Sequence, residues 1–223
     1  MELIEYPDRD MMMIDLAQKL AGDLNRALKA RDRALLAVPG GTTPAPIFED
    51  LCAANLEWDR VDVMLTDERW VEDTHPRSNT RLLRRHLLKE RAAAATLVPL
   101  WMAGEDPEQR VAELEAEIAP RLPINVLLLG MGADMHTASL FPGGDRLEEA
   151  LARNAPVLVP MRAGGAEEPR VTLSAHVLNG AIAKHIVITG PEKRDALARA
   201  RGLSPMEAPV NAVLQDATVH WAE

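Results

Sequence analysis

Residues 124–136 read Ile-Asn-Val-Leu-Leu-Leu-Gly-Met-Gly-Ala-Asp-Met-His, an apolar run that stops at two glycines and is followed by an acid and an imidazole. An apolar run of this length that ends at glycine predicts a buried strand over 124–129. Asp134 and His136 then fall in the loop after the strand, where the carboxylate can orient the imidazole. An oriented neutral imidazole serves as a general base near neutral pH. The alternative is a glycine turn whose polar residues are only solvated.

The same alternation of apolar strand and helix runs along the rest of the chain. Apolar runs predict further strands at 34–38, 61–65 and 186–189, and shorter ones at 156–161 and 170–173 on either side of a flexible segment at 163–169. Helical spacing predicts helices at 8–30, 44–54, 79–91, 107–119 and 191–201. Strands that alternate with helices are typical of an α/β fold with a mostly parallel sheet covered on both faces. We expect one domain over residues 1–223.

The composition argues against several classes of function. The formal net charge of −9 disfavours nonspecific nucleic-acid binding, although a few local cations can still attract an anionic small molecule. No apolar run approaches the roughly 18 residues that a membrane-spanning helix needs. Cys52 is the only cysteine, so no intrachain disulfide can form, and no cysteine–histidine spacing typical of zinc sites occurs. We therefore expect a cytoplasmic protein without a metal that contacts neither nucleic acid nor membrane.

Polar clusters directly follow four of the predicted strands. They are Gly40-Gly41-Thr42-Thr43, Asp67-Glu68-Arg69, Asp134 to His136, and Gly190 to Lys193. The carboxyl ends of parallel strands share one edge of the sheet, and open α/β sheets bind their ligands there. The sequence therefore predicts one site at this edge, assembled from loops that are far apart in the chain.

Several features of these loops suit an anionic group such as a phosphate. The glycines of the 40–43 loop let backbone amides approach an anion at the start of a helix, and Thr42 and Thr43 add hydroxyl donors. Lys193, near the start of the last predicted helix, opposes the helix dipole unless an anion lies nearby. Arg170 precedes a strand and could bind the same anion bidentately. The alternatives are a glycine turn with a threonine cap and two solvated charges.

The cluster Asp67-Glu68-Arg69 mixes both charges within three residues. A carboxylate there could position water or substrate, and Arg69 could stabilise an oxyanion. The alternative is a surface cluster of salt bridges.

Taken together, these residues resemble the 6-phosphogluconolactonase family, whose relatives include the glucosamine-6-phosphate isomerase/deaminases. The resemblance covers nearly the whole chain and is carried by Pro39 to Pro44, Thr66 to Arg69, Ser78-Asn79, Gly130 to Pro142, Arg170 to Leu173 and Gly190-x-x-Lys193. The order and spacing of these motifs match as well as their content.

The resemblance implies a Rossmann-like three-layer α/β/α domain that hydrolyses 6-phospho-D-glucono-1,5-lactone to 6-phospho-D-gluconate in the oxidative pentose phosphate pathway. It implies a sugar-phosphate lactone as the small-molecule partner and a reaction without a metal or another cofactor. His136 would act as the general base, oriented by Asp134. Arg69 would stabilise the oxyanion, and Asp67 completes the catalytic set. The substrate and its phosphate would be held by Gly40, Gly41, Thr42, Thr43, Asn79, Arg170 and Lys193.

Two alternatives stay open, and the sequence leaves the oligomeric state open with a monomer favoured. The isomerase/deaminase branch carries a glutamate where this chain, aligned on the histidine, has Phe141, and a phenyl ring cannot move protons. The second alternative is a sugar-phosphate-binding domain without catalysis. The presence of Asp134, His136 and Arg69 argues against a domain without catalysis.

Met135 departs from the family pattern, which usually has glycine between the aspartate and the histidine. If that position has a positive φ, methionine there costs roughly 1–2 kcal/mol. Three arrangements are open: an ordinary backbone, a strained backbone, or a displaced His136.

Overall fold

Seven parallel strands form the central sheet of the computed structural model, which describes residues 1–164 and 167–223. Gly165 and Ala166, within the segment expected to be flexible, lie outside the described residues. The strands of the described residues, in this sheet and in a second one, are β1 (Glu2–Glu5), β2 (Ala34–Val38), β3 (Val61–Leu65), β4 (Asp67–Arg69), β5 (Thr96–Val98), β6 (Val126–Gly130), β7 (Leu158–Met161), β8 (Arg170–Leu173), β9 (Ala183–Thr189) and β10 (Thr218–Ala222). The central order is β1-β10-β9-β6-β2-β3-β5, and every neighbouring pair is parallel. The expected mostly parallel α/β fold is confirmed.

The helices are α1 (Arg9–Ala30), α2 (Ala45–Leu51), α3 (Asn79–His86), α4 (Val111–Ile118), α5 (Leu147–Leu151), α6 (Ala175–Asn179) and α7 (Pro191–Ala200). The apolar positions at every fourth residue of α1 are fully buried: Met12, Leu16, Leu20 and Leu24. Helix α3 ends before the expected residue 91, since Glu90 has a φ of +50° and a left-handed residue cannot continue an α-helix. Helix α4 starts after the expected residue 107, because Arg110 has non-helical backbone angles. Within the described residues, no helix is long and apolar enough to cross a membrane.

A second, antiparallel sheet has the order β4-β8-β7. Residues 67–69, expected only to follow a strand, form strand β4 themselves. The two short strands expected at 156–161 and 170–173 also lie in this sheet, where β8 pairs with β4 and β7 pairs with β8. Thr66 connects the two sheets, because its N–H donates to the Val38 carbonyl of β2 at 2.9 Å and its carbonyl accepts from the Leu173 N–H of β8 at 2.9 Å. The chain therefore leaves the central sheet immediately after β3.

Strands β9, β6, β2 and β3 lie side by side in the central sheet. Because they are parallel, the loops that follow them begin at one edge, at Gly190, Met131, Pro39 and Thr66. The four polar clusters singled out in the sequence therefore meet at this edge, as the predicted strand order requires.

A partly buried series of hydrogen bonds connects helix α1 with strands β9 and β10. The Tyr6 hydroxyl donates to Asp15 Oδ2 at 2.5 Å and lies 2.9 Å from His220 Nδ1. His220 Nε2 lies 3.0 Å from His185 Nδ1, and His185 Nε2 lies 2.9 Å from Asp23 Oδ2. Burial lowers the pKa of His220 to about 3, so this imidazole is neutral at physiological pH. These hydrogen bonds hold α1 against β9 and β10 in addition to the apolar packing of the helix.

Candidate active site

A cavity of about 220 Å³ opens at the edge where β9, β6, β2 and β3 end, and we call it the rim cavity. The residues proposed from the sequence that line it are Gly40, Gly41, Thr43, Asp67, Arg69, Asn79, His136, Arg170 and Lys193. Asp134 does not line it but bonds to His136, and Thr42 lines a neighbouring groove instead. The tertiary structure therefore brings side chains from opposite ends of the chain into one small volume.

The imidazole of His136 is held in one orientation by the loop that carries it. Its Nδ1 lies 2.6 Å from Asp134 Oδ1, and its ring packs on Phe141 with the centroids 4.7 Å apart. A carboxylate can only accept a hydrogen bond, so Nδ1 carries the proton and Nε2 keeps its lone pair. The side chain is 33% exposed, which leaves the imidazole accessible to a ligand in the rim cavity.

Gly132 is required by the close packing of this loop. A Cβ atom at that position would lie 2.2 Å from His136 Nδ1 and 2.5 Å from Asp134 Oδ1. Any larger residue would therefore push the acid and the imidazole apart. The glycine noted in the sequence as a strand terminator also makes room for the Asp134–His136 pair.

Met135 has a φ of +68°, so of the three arrangements left open by the sequence the backbone is strained. The strained residue is held on both sides, because its N–H donates to the Gly132 carbonyl at 2.9 Å and its carbonyl accepts from the Val210 N–H at 3.1 Å. His136 nevertheless lines the rim cavity. The loop thus keeps the imidazole in place at an energetic cost to the fold.

We expect Met135→Gly to unfold at a higher denaturant concentration than Met135→Ala, with a difference in unfolding free energy of about 1 kcal/mol. Both variants remove the same partly buried side chain, but only glycine relieves the positive φ. Urea unfolding of the two variants and the parent chain measures the difference. Equal stability of the alanine and glycine variants would contradict the strain.

Two arginines lie side by side on neighbouring strands of the second sheet. Arg69 of β4 and Arg170 of β8 are register partners, and both line the rim cavity. Arg170 Nη1 lies 3.8 Å from Asp67 Oδ2, and its guanidinium lies 5.2 Å from the centroid of the Phe141 ring. Burial lowers the pKa of Arg170, and the neighbouring Arg69 acts in the same direction while Asp67 opposes it. Together with Lys193 these side chains bring three cations against one carboxylate.

Both arginines hold unused donors in the protein interior. Among the described residues, the buried Nε atoms of Arg69 and Arg170 have no hydrogen-bond partner. Arg69 uses only Nη1, which donates to the Arg77 carbonyl at 2.7 Å and to Asn79 Oδ1 at 2.9 Å. Buried donors without acceptors are costly, so the fold places these two guanidinium groups beside the rim cavity at an energetic cost.

Asp67 is held from several sides, which gives its carboxylate one orientation. Ser139 Oγ donates to Asp67 Oδ2 at 2.6 Å, and the amide of Asn79 donates to the Asp67 carbonyl at 3.0 Å. Asn79 in turn packs on Gly40, where a Cβ atom would lie 2.0 Å from Asn79 Oδ1. Ser139 is fully buried and cannot reach a substrate, so its role is to hold Asp67.

Glu68 has a structural role that the sequence pattern did not reveal. Its buried carboxylate accepts from the backbone N–H groups of Arg69, Asn79 and Thr80 at 2.7–2.8 Å and from Ser78 Oγ at 3.1 Å. Burial raises the pKa of Glu68, and the hydrogen bonds at the start of α3 act against that rise. Because Glu68 turns away from the rim cavity, Asp67 is the carboxylate of this cluster that remains for substrate. No local signal predicts this, since three of the four partners lie ten or more residues away.

The loop before α2 and the first turn of α7 also contribute residues to the lining of the rim cavity. Gly41 has a φ of +87° in the loop before α2, and Gly190 has a φ of +83° directly before α7. Lys193 is the third residue of α7 and forms no ion pair or hydrogen bond with any other described residue. Thr43 lines the cavity beside it. Backbone N–H groups, a hydroxyl and an ammonium group therefore face one side of the cavity, a set that suits a phosphate.

Comparisons with known proteins show the family and the fold of the chain. Residues 7–221 match the family model described as glucosamine-6-phosphate isomerases/6-phosphogluconolactonase. The chain is 42% identical over 218 residues to a 6-phosphogluconolactonase of Rhizobium meliloti (strain 1021), which covers 93% of this chain and 94% of that relative. The crystal structure of a 6-phosphogluconolactonase from Shewanella baltica OS155 matches with a TM-score of 0.96 and 31% identity, over 100% of this chain and 97% of that one. A monomeric glucosamine-6-phosphate deaminase shares the fold at 16% identity, with a TM-score of 0.81 over 100% and 98% of the two chains.

Proposed function

The chain belongs to the family of glucosamine-6-phosphate isomerases and 6-phosphogluconolactonases, and from this premise we propose that it hydrolyses 6-phospho-D-glucono-1,5-lactone to 6-phospho-D-gluconate in the oxidative pentose phosphate pathway. It is a lactone hydrolase that acts on a sugar phosphate. The observation that carries the assignment is the Asp134–His136 pair at a cavity that also holds three cationic side chains.

The phosphate of the substrate is proposed to bind beside Lys193, Thr43 and Arg170. This side of the rim cavity combines the amides of the glycine loop with two cations. The phosphate takes no part in the reaction, so its binding energy serves to place the lactone carbonyl next to His136. Asn79 and Gly40, which pack on each other, also line the rim cavity.

The proposed chemistry starts with a water molecule next to His136. Nε2 takes one proton from the water as the water oxygen bonds to the lactone carbonyl carbon, and the carbonyl oxygen becomes an oxyanion. The position of Arg69 in the lining of the rim cavity supports its role in stabilising this charge. The tetrahedral centre then collapses, the bond to the ring oxygen breaks, and the proton on His136 passes to that oxygen. The products are a carboxyl group and a hydroxyl group, and His136 is again neutral.

The isomerase/deaminase alternative is disfavoured by one contact. The position where that branch carries a glutamate is Phe141, whose ring lies against both His136 and Arg170. A phenyl ring shapes this part of the cavity but cannot exchange a proton with a sugar. A domain that only binds sugar phosphates would not need an oriented imidazole at the cavity, so hydrolysis accounts for more of the geometry.

We propose that the enzyme works in the cytoplasm, as one domain over residues 1–223 and as a monomer. The single cysteine and the acidic composition support a cytoplasmic location.

The direct test is a comparison of three substrates under the same conditions. We expect the purified protein to hydrolyse 6-phosphogluconolactone well above the spontaneous rate and to release no ammonia from glucosamine 6-phosphate. Turnover is followed by proton release for the lactone and by ammonia release for the amino sugar, with unphosphorylated gluconolactone as the third substrate. Deamination, or no turnover of any substrate, would contradict the proposal.

A further inference from the structure

A second concave surface adjoins the rim cavity, and we call it the basic groove. Its volume is about 660 Å³, and it is lined by Thr42, Arg81 and Arg85 among others. It shares Gly41, Arg69 and Asn79 with the rim cavity. The two spaces are therefore adjacent, and the same three residues belong to both linings.

The basic groove is positively charged in an acidic protein. No Asp or Glu is among the described residues that line it, although the formal net charge of the chain is −9. On helix α3, Arg84 pairs with Asp73 at 2.5 Å and so has its charge compensated. Arg81 and Arg85 form no ion pair within the described part of the chain. Their guanidinium groups remain available to an external anion.

The position of Thr42 is a second indication that the basic groove binds an anion. The sequence pattern assigned it to the phosphate site, but the structure places it in the basic groove and outside the rim cavity. The positive φ of Gly41 turns the chain between the two spaces, so that Thr43 lines one and Thr42 the other. A hydroxyl donor and two guanidinium groups without a direct ion pair therefore line the same groove, which is a donor set that binds phosphate.

We propose that the basic groove is a second phosphate site, so that sugar bisphosphates bind with one phosphate in the rim cavity and the other in the groove. This inference rests on the proposed function of the rim cavity. Along the axis of α3, Arg81 lies about 3 Å and Arg85 about 9 Å beyond Asn79. A second phosphate on the same sugar can therefore meet both arginines. A ligand bound in this way occupies the place of the lactone and inhibits its hydrolysis competitively.

The test compares glucose 1,6-bisphosphate with glucose 6-phosphate as inhibitors of 6-phosphogluconolactone hydrolysis at constant ionic strength. We expect the inhibition constant of the bisphosphate to be lower by about tenfold or more, since it gains charge-assisted hydrogen bonds in the groove. In the double variant Arg81→Ala/Arg85→Ala this advantage should disappear. The KM for the lactone and the inhibition constant of glucose 6-phosphate should stay near their original values.

The matched control is Arg84→Ala/Arg91→Ala, which removes the same charge from side chains that do not line the groove. Equal inhibition by the two sugar phosphates, or an advantage that survives in Arg81→Ala/Arg85→Ala, would overturn the inference. The inference is also overturned if Arg84→Ala/Arg91→Ala reduces the advantage of the bisphosphate over glucose 6-phosphate as much as Arg81→Ala/Arg85→Ala does. If the protein does not hydrolyse the lactone, the proposed function fails, and calorimetric titration with the two sugar phosphates still tests the groove.

Discussion

Replacing His136 by alanine is expected to lower kcat for 6-phosphogluconolactone hydrolysis by about 10²–10⁴-fold, the usual contribution of one general acid–base group. His136 is the only described residue of the rim cavity that combines a free imidazole nitrogen with a carboxylate on the opposite nitrogen. KM should change much less, because the phosphate contacts stay in place. Initial rates, corrected for the spontaneous hydrolysis of the lactone, measure both constants.

Two further variants show whether the loss reflects the proposed base. Asp134→Asn removes the carboxylate charge that favours a proton on Nδ1 and stabilises the imidazolium formed in the reaction, so kcat should fall while KM again stays similar. His176→Ala, at an exposed histidine outside the rim cavity, should leave both constants unchanged. An unchanged kcat in the His136 variant would remove this residue from the mechanism.

Lys193→Ala is expected to raise KM for 6-phosphogluconolactone by about 10–100-fold, the effect of losing a hydrogen bond between two charged groups. Lys193 stands at the start of α7, lines the rim cavity and has no partner among the described residues, so its charge is available to the phosphate. With unphosphorylated gluconolactone the same variant should behave like the parent enzyme. The ratio of the two KM changes is the measured quantity.

The control for Lys193 is Arg199→Ala, which removes an exposed charge from the same helix outside the rim cavity. Its KM should be close to that of the parent for both lactones. If Lys193→Ala weakened both lactones equally, the lysine would act on the fold or on the sugar and the phosphate site would have to lie elsewhere.

Much of the central sheet could be predicted because its strands are continuous apolar runs. Strands β2, β3, β6 and β9 are buried on both faces, and this pattern needs no knowledge of neighbours. Strand β1 (Glu2–Glu5) was not predicted because its charged ends are exposed, and β5 (Thr96–Val98) is only three residues long. Short strands at the edge of a sheet owe their conformation to the strand beside them, and that strand is distant in sequence.

The site could be predicted in its location but not in all its roles. The edge followed from parallel strands, and the Asp134–His136 contact followed from two residues in one loop. Thr42 was assigned to the phosphate, whereas the structure turns it into the basic groove. Glu68 was given no role of its own, and the structure turns it towards the start of α3. A side-chain direction in a turn depends on backbone angles and packing that residue type alone does not specify.

The sequence by itself determined the order of strands and helices, the glycine loops after the strands, and the pairing of Asp134 with His136, because each depends on residues close together in the chain. Only the tertiary structure decided that Arg69 faces Arg170 and that Asn79 packs on Gly40. It also decided that the basic groove adjoins the rim cavity. These contacts join residues far apart in the chain, and they depend on which strands pair and in which register. Pairing is a property of the assembled sheets, so the two arginines of the rim cavity come together only when β4 and β8 pair in the second sheet.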